Sequence, residues 1–124
     1  MREITSEWVK RAEEDYEAMR RLLISKTPNA VAFHAQQCAE KYLKAFLIEH
    51  KRKPLKTHNL AKLNALCKDI DPRFQEIDGK LKYLLPYAVH TRYPTESATK
   101  QEAKDAKKKA EKVRKFVEKK FVDQ

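Results

Sequence analysis

Arg52 and His58, with five residues between them, are spaced so that a guanidinium can hold a phosphate while an imidazole moves a proton. Metal-free cutting of RNA needs both roles. The same two residues also have plain structural uses, since His58 at the start of a helix can hydrogen-bond the neighbouring chain and Arg52 can stay solvated. A second cluster, Tyr87 followed by His90, Arg92, Tyr93 and Pro94, can place Arg92 on a phosphate and stack a base on Tyr87 or Tyr93. Equally, an Arg-Tyr-Pro corner can pack its tyrosine and tie Arg92 to helix-end carbonyls or to Asp15. His34, Gln37, Lys41 and Lys44 fall on one edge of a helical pattern and make a third candidate surface. His34 and Cys38 could supply half of a zinc site, but no second pair has metal-ligand spacing, so neither a metal nor any other cofactor is expected. The chain holds no P-loop, dinucleotide fingerprint or nucleophile elbow, and these enzyme classes are disfavoured.

Charge points to an anionic partner. The formal net charge is +10, and between Lys41 and Lys62 seven Lys/Arg face one acid, Glu49. Such an excess favours nucleic acid, nucleotides or an acidic protein. The last segment, from residue 98, carries ten basic and five acidic residues. A solvated lysine-rich face, or the Lys/Glu enrichment of a heat-adapted protein, also accounts for that share.

The elements that must position these residues read as helices. Gly79 is the single glycine, and no segment alternates convincingly, so tight hairpins and sheets are disfavoured. A first helix is expected from Thr5 or Ser6, with Trp8, Ala12, Tyr16, Met19, Leu22 and Leu23 on one stripe and Asp15 within it. A carboxylate there must be paired or reach water. Thr27-Pro28 opens a second helix to about His50; its two apolar sides make it central or part of a subunit interface. Thr57 is expected to cap a third helix, Asp71-Pro72 to open a fourth that Pro86 kinks or ends, and Thr99 with Glu102 to form a capping box for the fifth. Ala103, Ala106, Ala110, Val113, Val117 and Phe121 form the seam of that last helix. At this length one domain over residues 1–124 is expected. Cys38 and Cys67 read as reduced core thiols. With no spanning apolar run and no apolar leader at Met1, the expectation is a soluble cytoplasmic protein that engages no membrane.

The series Ala12, Asp15, Leu22-Leu23, then residues 33–45 (Phe33 to Ala45), Lys56-Thr-His-Asn-Leu60 and Thr91 to Pro94 resembles the HEPN domain family over nearly the whole chain. The resemblance implies an all-α, five-helix up-and-down bundle, commonly a homodimer, and a frequent partner, a minimal nucleotidyltransferase, in a toxin and antitoxin pair. Many members of the wider family are metal-independent RNases whose signature is an Arg, a polar residue and a His four to six residues after the Arg, paired across two copies. Here Arg92 is followed by Tyr93 and Pro94 with no downstream His, while Arg52 and His58 meet the spacing but with Lys53 after the Arg. Gln37, Lys41, Lys44, His58 and Arg92 match the positions that the resemblance marks. Two functions therefore stay open: an RNA- or nucleotide-binding protein with ribonuclease action through His58, Arg92 or Arg52, and a noncatalytic binding subunit of a nucleotidyltransferase complex in which Asp15, His58 and Arg92 form a buried polar network.

Overall fold

The computed structural model describes residues 1–23, 27–53, 55–88 and 97–122. Five α-helices form the described fold: α1 (Glu3–Leu22), α2 (Pro28–Glu49), α3 (Leu60–Ile70), α4 (Asp78–Leu84) and α5 (Lys100–Val122). Two short 3₁₀ segments, Pro72–Ile77 and Leu85–Ala88, flank α4. No strand occurs among the described residues.

The second helix is the axle. Its apolar residues run nearly all the way round, and Val31, Ala35, Cys38, Tyr42, Leu43, Phe46 and Leu47 are all buried against α1, α3 and α5. Leu47, which the periodicity left on the far side from the main stripe, is fully buried within this one chain. Phe33 stays half-buried. Antiparallel pairing of α1 with α2 follows from contacts at both levels. The Arg2 backbone N–H donates to Glu49 at 2.8 Å near one end, and Asp15 meets His34 and Lys41 further along.

A polar knot locks the register of α1, α2 and α5. The Tyr42 hydroxyl donates to the Glu13 carboxylate, which also accepts from Arg114 Nε at 2.9 Å. Arg114 in turn reaches Glu118 at 3.5 Å and lies 4.2 Å from the Tyr16 ring centroid. Burial pushes the Glu13 carboxyl up, but the donors Tyr42 and Arg114 outweigh it and hold the group below its ordinary range. Burial, then the hydrogen bond to Glu13, pushes the Tyr42 phenol well above its usual value. Asp15, on the same helix, also faces α2, where it meets His34 and Lys41.

Several expected boundaries move. Helix α1 begins at Glu3 rather than at Thr5 or Ser6, and Thr5 is buried. Asn59, not Thr57, caps α3: its side chain accepts from the Lys62 N–H at 3.2 Å, while Thr57 Oγ1 accepts from the Asn59 N–H. Asp71-Pro72 does open a helical segment, but as 3₁₀ up to Ile77 before α4 begins. Pro86 falls in the second 3₁₀ segment, where the regular helix has already ended at Leu84. The capping box of α5 is present in both directions, with Glu102 N–H to Thr99 Oγ1 and Thr99 N–H to Glu102 Oε1 each at 3.0 Å. The expected seam of α5 is buried from Ala103 to Val117, with Phe121 partly so. Cys38 and Cys67 are free, buried thiols, and burial raises both above the ordinary cysteine range.

Candidate functional site

The site lies along one edge of α2, where two buried carboxylates each take an imidazole and an ammonium. Asp15, on α1, accepts from Lys41 Nζ at 2.5 Å and pairs with His34 Nδ1 at 2.7 Å. Glu40, on α2 itself, pairs with His58 Nδ1 at 2.9 Å and with Lys44 Nζ at 3.0 Å. Gln36 closes the second group. Its amide donates to Glu40 Oε1 and to the His58 backbone carbonyl, both at 3.2 Å, and its oxygen accepts from Gln37 Nε2 at 2.6 Å. Lys44 Nζ sits 5.7 Å from the centroid of the Trp8 ring on α1, within cation–π range.

His58 reaches Glu40 because the connection after α2 turns back along that helix. The reversal is built at the end of α2, where Lys51 adopts the left-handed conformation with φ 59°. The Lys51 N–H bonds the Ile48 carbonyl at 3.0 Å and the Arg52 N–H bonds the Leu47 carbonyl at 2.9 Å. This is a Schellman arrangement, with a lysine where glycine is the usual occupant. The returning segment carries Arg52, Lys53 and Lys56, all exposed, before it brings His58 to Glu40. Between His50 and Cys67 there is no acidic residue, so the loop that presents His58 is positive throughout.

The chemistry follows from what is buried and what is not. Glu40 is 3% exposed, whereas the His58 side chain is 64% exposed. Donation of Nδ1–H to a buried carboxylate orients the ring, and Nε2 is the ring nitrogen left for another partner. A carboxylate-oriented imidazole of this kind can take or give a proton to a bound group. His34 repeats the arrangement at the other level with a less accessible ring, 29% exposed.

The sequence reading brought together part of this set. His34, Gln37, Lys41 and Lys44 do share the α2 edge, but they divide between the two carboxylates rather than forming one open strip. Asp15 is buried and paired, as a carboxylate on a core face must be. Among the described residues Asp15 does not meet His58, whose partner is Glu40, and Arg92, the third member of the expected network, lies outside the described residues. Arg52 is exposed on the return loop. Tyr87 is 6% exposed and donates its hydroxyl to Glu102 Oε2 at 2.9 Å, so its ring is committed to the bundle rather than offered for stacking. His90, Arg92 and Tyr93 lie outside the described residues. Gln36 and Glu40 were missed, although Gln36, Glu40 and Lys44 form an i, i+4, i+8 row that helical geometry marks as contiguous.

Among the described residues no group of three or more His, Cys, Asp or Glu could hold a metal ion, and no helix is long and apolar enough to cross a membrane. A family model, the HEPN domain, matches residues 5–120. Among solved structures the chain is similar to TT1696 from Thermus thermophilus, with a TM-score of 0.82 at 28% identity, covering 94% of this chain and 97% of that one. No curated protein matches it. The helical bundle and the family match over nearly its whole length agree, and the chain belongs to the HEPN domain family.

Proposed function

We propose that this protein binds RNA or a nucleotide along the α2 edge and the returning loop, and that His58 moves the proton in a metal-independent cleavage of the RNA backbone. The observation that carries this reading is the pairing of an exposed imidazole with a buried carboxylate on an acid-free, basic loop. In the reaction, His58 Nε2 accepts the proton of a ribose 2′-hydroxyl, the 2′-oxygen attacks the adjacent phosphorus, and the bond to the 5′-oxygen of the next nucleotide breaks, that oxygen taking a proton from water while His58 returns its own to solvent. The products are a 2′,3′-cyclic phosphate and a 5′-hydroxyl. Arg52, on the same loop, is the described arginine suited to the phosphate charge; Arg92 is the second candidate from the sequence. Glu40 orients the imidazole and Gln36 holds the His58 backbone. A homodimer, and a minimal nucleotidyltransferase as cognate partner in a toxin and antitoxin pair, complete the proposal.

A second reading has its own support. Lys41 and Lys44 are both spent on buried carboxylates, which leaves them less free to hold a phosphate and suits a noncatalytic subunit that docks a nucleotidyltransferase through its basic loop. Incubation of the purified protein with a mixed RNA pool in EDTA separates the two. Fragments ending in cyclic phosphate support the ribonuclease; an intact pool with a folded protein shifts the assignment to the docking subunit.

A further inference from the structure

Helix α5 carries a feature that the α2 edge does not use. Lys100, Lys104, Lys108, Lys112, Lys115 and Lys119 recur at steps of four, four, four, three and four residues, and all six are exposed. Those steps keep the six within one stripe of the helix, opposite the seam of Ala103, Ala106, Ala110, Val113 and Val117 that packs inward. The stripe is about 28 Å long at roughly 1.5 Å of rise per residue. None of the six makes an ion pair or hydrogen bond among the described residues. The neighbouring acids are occupied: Glu111 by Lys107 at 3.2 Å and by the Tyr16 hydroxyl, Glu118 by Arg114, and Asp105 by Gln101. A groove beside the stripe, between α4 and α5, adds Lys80 and Lys109 to Lys108 and Lys112, against Glu76 and Asp105.

We infer that this lysine stripe and its flanking groove form a second binding surface, for the sugar-phosphate backbone of RNA, that reads charge and not sequence. A stripe about 28 Å long at roughly 1.5 Å of rise per residue can lie along several regularly spaced phosphates of one strand, and flexible lysine stems absorb the difference in spacing. An acidic protein would need its carboxylates in a comparably regular row, which a nucleic acid strand has by construction. A lipid surface fits worse, because the apolar side of α5 is already buried in the bundle and is not free to insert. The surface rests on α5 and not on His58, so it stands or falls separately from cleavage.

The test is fluorescence anisotropy with labelled oligouridylate, titrated with salt, on three proteins: the wild type, a Lys104→Gln/Lys108→Gln/Lys112→Gln triple variant, and a charge-matched Lys10→Gln/Arg21→Gln/Lys82→Gln triple variant. The slope of log affinity against log salt reports phosphate contacts, at about 0.7 per contact for single strands. The stripe variant is expected to lose about 2 units of slope and the charge-matched variant to keep the wild-type slope. Equal losses in both triples would reduce the stripe to general charge, and no loss in either would leave it a solvated face; both results overturn the inference. So does binding of the wild type to phosphatidylserine vesicles, but not to RNA, through the same lysines. Should the triple variant fail to fold by circular dichroism, Lys108→Gln alone is expected to lose about 0.7 unit of slope, and an unchanged slope there also overturns it.

Discussion

Glu40 is the residue on which the site turns. It is buried, and it holds Lys44, itself 8% exposed, together with the imidazole of His58. Removing the charge in Glu40→Gln leaves an ammonium in the interior without its partner, and breaking such a pair costs about 3–5 kcal/mol. Urea denaturation of Glu40→Gln is expected to show a loss of that size. The double variant Glu40→Gln/Lys44→Met, which also removes the stranded charge, recovers much of it. His58→Ala behaves differently because most of the ring already faces water, and its cost in stability stays below about 1 kcal/mol. The sequence announced His58 through its spacing from Arg52 but gave Glu40 no role. An acid in a run of basic residues reads as an ordinary helix-face pair, and only the return of the chain from Lys51 shows that it is the residue His58 meets.

At the scale of elements, what could be read ahead depended on whether a signal was local. The Thr99 and Glu102 box is a four-residue pattern, and both of its hydrogen bonds form. Thr99→Ala is therefore expected to destabilise by about 1 kcal/mol, measured as a fall in the thermal midpoint. The seam of α5 was equally legible, since 3.6-residue periodicity needs no partner to be recognised. The start of α3 was not, because Thr57 and Asn59 both suit a cap and the choice is made by where the chain arrives after reversing along α2. That reversal had no glycine to announce it. Lys51 occupies a left-handed position at a cost of roughly 1–2 kcal/mol. Lys51→Gly, which relieves this against a larger entropy loss, is expected to be neutral or to stabilise by up to about 1 kcal/mol.

The bundle as a whole is closed by charge at its far end. Lys120 in the last turn of α5 reaches Asp71 at 2.8 Å, and Asp71 also takes Arg73 at 3.1 Å. The Arg73 donors, together with Lys120, hold the Asp71 carboxyl far below the usual carboxylate range. A depressed value in the folded state means that the contribution is complete above the ordinary aspartate value of about 3.9 and is lost as pH falls toward the folded value. Asp71→Asn is expected to be less stable than the wild type at neutral pH, with the gap between their urea midpoints shrinking as the solution is taken below pH of about 4. The net charge of +10 acts on partners at this same scale, and it accounts for the site only together with geometry. Composition indicated an anionic ligand, helical periodicity indicated the bundle, and the family resemblance agreed with both. The division of the α2 edge between Asp15 and Glu40 was invisible because it depends on which helix and which loop lie alongside.

The proposal that His58 performs proton transfer is tested most directly by single-turnover cleavage of labelled RNA in EDTA by the wild type and by His58→Ala, with RNA affinity measured on both. The account predicts cleavage by the wild type, a rate lower by about 10²–10⁴-fold in the variant, and affinity that changes little. Cleavage at the wild-type rate by a folded His58→Ala protein, or no cleavage by either, would contradict it.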